Sequence, residues 1–265
     1  MHEEVSIWGG QKLVANAVSR YRVGPLCIWL ERRGDELHYA FSRKDIDVPL
    51  NDVEKPDHIE WSRWICGEGD LDLELKPSLP PRPVVVRPVM PLTILPGQTV
   101  RFFVSIPVYV AGILVDTQSG KSVTAFEEPT VILSNSWFGQ PVDGTLCYAL
   151  RTRARRAIEE LRTDAHFAIC PMELRNMSDG ALFFDRLLLR TSRLGVYRGS
   201  QHLWTSVATL AYHGEMPLPE LQYAAEVPGY DGAKSLFAAP REQIKRGMMD
   251  RAWEGIRGIG KVQHV

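Results

Sequence analysis

Arg151, Arg153, Arg155, Arg156 and Arg162 form the densest set of chemistry-bearing side chains in this sequence. A guanidinium is a planar five-donor fork that pairs with phosphate or carboxylate, so the segment is a candidate surface for an anionic ligand or an acidic protein. Ala154, Ala157, Ile158 and Leu161 recur between the arginines at helical spacing, which predicts an amphipathic helix over 151–163. On such a helix Glu159 and Glu160 lie four residues after Arg155 and Arg156, so local ion pairs would absorb part of the charge. The helix holds no aromatic residue on which a base could stack.

Other sets of reactive residues read more plainly. Gly120-Lys121-Ser122 lacks the earlier glycine of a phosphate loop, because that position is Val115, and the sequence after it reads as strand rather than helix. His166 and Cys170 are four apart in a strand-like run, which would separate the side chains by roughly 13 Å and keep them off one metal. Asp70, Asp72 and Glu74 resemble a carboxylate pair or a cation site. Their alternation with Leu71, Leu73 and Leu75 fits a strand with one solvated face. No G-x-S-x-G elbow surrounds Ser134 or Ser136. Cys147, between Leu146 and Tyr148, reads as a buried thiol despite the arginines nearby. Trp137, Phe138, Tyr148 and Trp204 read as core or turn packing. These residues assign no catalytic group, metal or cofactor; His166, His202 and His213 would be the histidines to inspect in an enzyme.

The elements that must position these groups are mostly strands. Leu26, Ile28 and Leu30 alternate along one run and Leu37, Tyr39 and Phe41 along the next, across Arg33-Gly34-Asp35, which predicts a hairpin. Val100–Val110, Ala111–Val115, Val123–Phe126 and Val131–Ser134 continue the pattern. Further runs follow at Met172–Leu174, Leu182–Thr191, Leu194–Tyr197 and Leu203–Tyr212. Prolines at 77, 80, 81, 83, 88, 91 and 96 disfavour helix and central strand and suggest a connector. Pro240 to Ile256 reads as a C-terminal helix, with Pro240 at its start and Ile244, Met248, Ala252 and Ile256 every fourth residue. The segments from Pro91 and from Pro171 echo each other weakly, as two related β units would.

The expected fold is therefore mostly β. It has sandwich-like antiparallel sheets, one internal amphipathic helix and one C-terminal helix. The organisation read from the sequence is an N-terminal β region over 1–80, a β core over 81–225, and a C-terminal helix with a loose tail over 226–265.

The chain has 265 residues, a formal net charge of -1 and a pI near 6.7, which argue against a nucleic-acid binder when the chain is taken whole. The first residues lack the basic-then-apolar pattern of a secretory signal, and the uncharged run Phe102 to Val115 is too short for a membrane helix. Cys27, Cys66, Cys147 and Cys170 are widely spaced and read as free thiols of a cytoplasmic protein.

One further pattern carries a family likeness. The Pro88–Pro96 segment, Ile106-Pro107-Val108 and the run Trp137-x-Gly139-x-Pro141-x-x-Gly144-x-Leu146-Cys147 resemble the bacterial and archaeal family known as domain of unknown function 432. The resemblance is clear over about 82–156 and looser elsewhere. It implies a prokaryotic cytosolic protein and brings no catalytic residue with it. The reading favours a non-enzymatic binding or interaction module, using the arginine segment or an exposed sheet edge and open to self-association. A hydrolase built from distant loops and a nucleic-acid binder acting through the arginines are the alternatives.

Overall fold

Inward-facing apolar residues on alternate positions drive the chain into strands, and the computed structural model is mostly β with several antiparallel sheets. It describes residues 7–44, 57, 59–67, 71–117, 120–214, 220–224, 227–233 and 235–242. Two compact units are formed: residues 1–78 with 107–132, and residues 79–106 with 133–265.

In the first unit, β1 (Gly9–Gln11), β6 (Leu71–Ser78), β10 (Tyr109–Asp116) and β11 (Ser122–Pro129) make one antiparallel sheet in the order β1-β6-β10-β11. A second holds β2 (Val18–Val23), β3 (Leu26–Arg33), β4 (Glu36–Ser42) and β5 (Ser62–Ile65) in sequence order. The hairpin expected around Gly34 is β3–β4, with Gly34 at φ 56°. Leu26, Ile28, Leu30 and Leu37 of this sheet share one buried cluster with Leu73, Leu75, Val110, Leu114 and Phe126 of the other. The strand β6 alternates as read, with Leu73 and Leu75 fully buried and Asp72 exposed; Asp70 lies outside the described residues. Gly120, at φ 66°, belongs to the β10–β11 hairpin, where Asp116 N–H bonds to the Lys121 carbonyl.

The second unit contains a four-stranded sheet in the order β12-β13-β7-β16, from β7 (Val84–Val86), β12 (Ser134–Phe138), β13 (Thr145–Ala149) and β16 (Leu187–Leu189). The strands β8 (Leu92–Ile94) and β15 (Leu182–Phe184) pair with each other. A larger sheet runs β20 (Glu220–Tyr223), β19 (Ala208–Tyr212), β14 (Phe167–Asn176), β18 (Leu203–Thr205), β17 (Val196–Arg198) and β21 (Ser235–Ala238). Its seventh strand, β9 (Thr99–Pro107), pairs with β14. The segment from Pro91 thus supplies a short strand, β8, whereas the one from Pro171 lies inside the ten-residue β14.

The helix expected over 151–163 does not form. Ala154 N–H bonds to the Arg87 carbonyl, and Arg155 exchanges both backbone bonds with Phe103 of β9. The chain is therefore extended between two strand-like neighbours and turns once, as the 3-10 helix Ile158–Glu160. A helix would satisfy its own amides and leave Phe103 and Arg87 without these partners, a larger loss than the modest helical preference of Ala and Arg can offset. Pro240 to Glu242 are not helical, and the remainder of the expected C-terminal helix lies outside the described residues.

Candidate interaction surface

The turn between β12 and β13 builds a rigid apolar ledge. Across this pair Trp137 stands opposite Leu146 and Asn135 opposite Tyr148 on one face, while Ser136 opposite Cys147 and Phe138 opposite Thr145 share the other. The second face is covered: Phe138, Cys147, Val85 and Leu188 form a buried cluster. On the first face Trp137 stays 48% exposed and Leu146 43%. Trp137 is nevertheless fixed, because its indole Nε1 donates to the Gln140 carbonyl at 2.8 Å. Gly144 N–H donates to the same carbonyl at 2.8 Å. A Cβ on Gly144 would lie 2.3 Å from that indole nitrogen, so only glycine leaves room for the ring. Beside the ledge, Arg82 donates to Asn135 Oδ1 at 2.8 Å and lies over the Tyr148 ring at 5.6 Å.

The strand β12 is also an open sheet edge, since among the described residues it pairs with β13 alone. Its sequence, SNSWF, holds no charge and no proline. Sheet edges are normally guarded by charge, bulges, brevity or burial. Here β2 carries Arg20 and Arg22, β5 Arg63, β11 Glu127 and Glu128, and β20 Glu220. A register shift interrupts the β17–β21 pair, and β1, β8, β15 and β16 are three residues long.

The five arginines of the sequence reading separate into different states. Arg155 pairs with Glu160 at 3.6 Å and Arg162 with Asp164 at 3.5 Å. Arg156 lies over the Phe102 ring. Arg151 and Arg153 are exposed and have no side-chain partner among the described residues. Arg87, isolated among prolines in the sequence, joins them in space through the Pro88–Ala154 bridge. Nothing in its sequence neighbourhood signals that. Trp137 reads in the sequence as core or turn packing, but it lies in β12 and its exposure depends on the tertiary arrangement.

The residues that the sequence singles out for an enzyme take different places. Ser200, His202 and Asp231 come together in type, but not as a triad. Asp231 Oδ2 accepts from Gln201 N at 3.0 Å, His202 N at 2.8 Å and Trp204 Nε1 at 3.2 Å, and the Ser200 hydroxyl donates to the Asp231 carbonyl. The arrangement braces two loops. Burial pushes the Asp231 carboxyl upward, yet the three N–H donors outweigh it and hold the group below its ordinary value. His166 is buried, with Nδ1 unpartnered among the described residues, and burial lowers its pKa. His213 is exposed. Cys170 is fully buried, its thiol pushed up to about 12 by burial, and Cys147 is likewise buried and raised. Among the described residues no three His, Cys, Asp or Glu side chains gather as metal ligands. No helix among them is long and apolar enough to cross a membrane.

An all-β chain with an unguarded sheet edge is thus the class of protein on view. It belongs to the family described as Protein of unknown function (DUF432), whose model matches residues 7–257. Each named position of the run from Trp137 to Cys147 has a place in the ledge or in the turn and strand pair beneath it. No curated protein and no solved structure matches the chain.

Proposed function

We propose that the protein is a non-enzymatic interaction module that receives an extended apolar segment of a partner protein as an added strand on β12. The unguarded edge beside the fixed, half-exposed Trp137 carries this reading. Main-chain bonds to the open edge supply affinity, and Trp137 with Leu146 supplies a surface for alternate apolar side chains of the guest. The apolar cluster shared by the two sheets of the first unit supports a sandwich-like framework. The four free thiols support a reducing, cytoplasmic location.

A photo-crosslinking residue at Asn135, in the full chain expressed in its native host, tests the idea. It should trap a defined protein partner, and Trp137→Lys should abolish the adduct while leaving the far-UV circular dichroism unchanged. Equal trapping from a crosslinker at exposed Gln98 would remove the edge as the contact surface.

A further inference from the structure

A second surface, independent of the ledge, stands on the arginines. We propose that the second unit binds the phosphodiester backbone of a nucleic-acid strand through Arg87 and Arg153, with Arg151 and Arg162 flanking them. The parallel bridge between Pro88 and Ala154 sets Arg87 beside Arg153. Pro88 and Ala154 are both buried, so alternation turns both arginines to the opposite, exposed side. Neither has a side-chain partner among the described residues. Like charges placed directly opposite each other across a strand pair repel, and an anion shared between them reverses the sign.

Ser105 of β9 gathers the flanking residues. Its carbonyl accepts from the Thr152 hydroxyl at 2.7 Å, and its own hydroxyl donates to the Arg162 carbonyl at 2.6 Å. Both ends of the loop that carries Arg151, Arg153 and Arg162 are therefore tied to one strand position. Arg162 is 68% exposed, with its only ion partner among the described residues, Asp164, also at the surface. Cations spread along an exposed strip suit a ligand with repeated charges better than a single phosphate.

The charge of the whole chain conceals this. Among the described residues the second unit holds 14 Lys and Arg against 10 Asp and Glu, a net of +4, and the first holds 10 against 10, a net of 0. All 14 of these cations in the second unit are arginine, the side chain best suited to phosphate oxygens. A phosphodiester strand carries a phosphate at every residue and so offers charge-assisted partners to several of these arginines at once.

Fluorescence anisotropy of the full chain with labelled single-stranded RNA and with DNA of the same sequence tests the proposal. Affinity should fall steeply with salt. Arg87→Ala/Arg153→Ala should weaken binding at least about tenfold and reduce the salt slope by about 1.4, roughly 0.7 for each phosphate of a single strand no longer neutralised. Arg101→Ala/Arg175→Ala removes the same charge from arginines already held by Glu173, and should change binding less than about threefold. Arg87→Lys/Arg153→Lys, which keeps the charge and loses the forks, should fall between. Equal binding of RNA and DNA, or a preference for either, supports the proposal and identifies the source of the strand. It is overturned if neither polymer binds at low salt, or if the Arg101/Arg175 control weakens binding as much. Binding only of a poly-glutamate peptide, or a change of oligomeric state alone in the Arg87/Arg153 variant, overturns it too. The anisotropy reads the arginines and the Asn135 crosslink reads the β12 edge, so the two results are read separately.

Discussion

Replacing Gly144 by alanine tests the ledge at its base. The added Cβ would lie 2.3 Å from Trp137 Nε1 and 2.6 Å from the carbonyl oxygens of both Gln140 and Phe138. Gly144 does not occupy the left-handed region, so the cost is steric rather than conformational. The Gln140 carbonyl cannot move without giving up the two N–H bonds it accepts, from Gly144 and from the Trp137 indole. Two neutral hydrogen bonds contribute about 1 kcal/mol each, and overpacking costs about 1–3 kcal/mol where neighbours are backbone. Partial relief of one effect by the other leaves a loss of about 3 kcal/mol. For a chain of this size that lowers Tm by about 6–12 °C. The assay is thermal unfolding together with the Trp137 indole N–H resonance, assigned by its disappearance in Trp137→Ala. In Gly144→Ala that resonance should move towards the position of a solvent-exposed indole. In the Trp137→Ala background Gly144→Ala should cost about 1 kcal/mol less, because one of its three clashes has been removed. An unchanged Tm and an unmoved indole resonance would refute the claim that the turn fixes the ring.

Two further outcomes follow from the framework. Of the four thiols, only the half-buried Cys66 should react with a disulfide reagent in the native protein, and slowly, since burial raises its pKa above the ordinary value; Cys27, Cys147 and Cys170 should react only on unfolding. Asp231→Asn should lower stability at neutral pH. The native carboxyl titrates below its unfolded value of 3.8, so its contribution is full above that value and is lost as pH falls through the native pKa. Urea unfolding of both proteins across that range checks this, and a stability difference that grows on acidification would contradict the brace.

The hairpin at Gly34, the alternation in β6 and the burial of Cys147 were legible because each depends on neighbours in sequence. The arginine segment was not. Its apolar residues fit a helical stripe, but the unpaired backbone of β9 and of the chain after β7 decided the outcome, and neither adjoins it in sequence. Ala154 serves a buried extended position as well as a helical one. Local periodicity carries no information about which amides elsewhere still need partners. Even so, the arginines meet in space: a strand bridge and Ser105 gather Arg87, Arg153 and Arg162, where a helix face would have gathered Arg151 to Arg162.

Charge was the more serious loss. A net charge of -1 conceals the second unit, whose described residues carry 14 Lys and Arg against 10 Asp and Glu, a net of +4. The boundaries that reveal the split lie at 78/79, 106/107 and 132/133, and the first unit takes back residues 107–132 after the chain has entered the second. No single cut in the sequence produces that division. Electrostatic attraction acts over about 8–10 Å at physiological salt, so a ligand at Arg87 and Arg153 responds to the charges near those residues, which a whole-chain sum does not describe. Whole-chain neutrality is therefore no argument against anion binding in a protein whose units are interleaved in sequence and whose cations are unevenly shared between them.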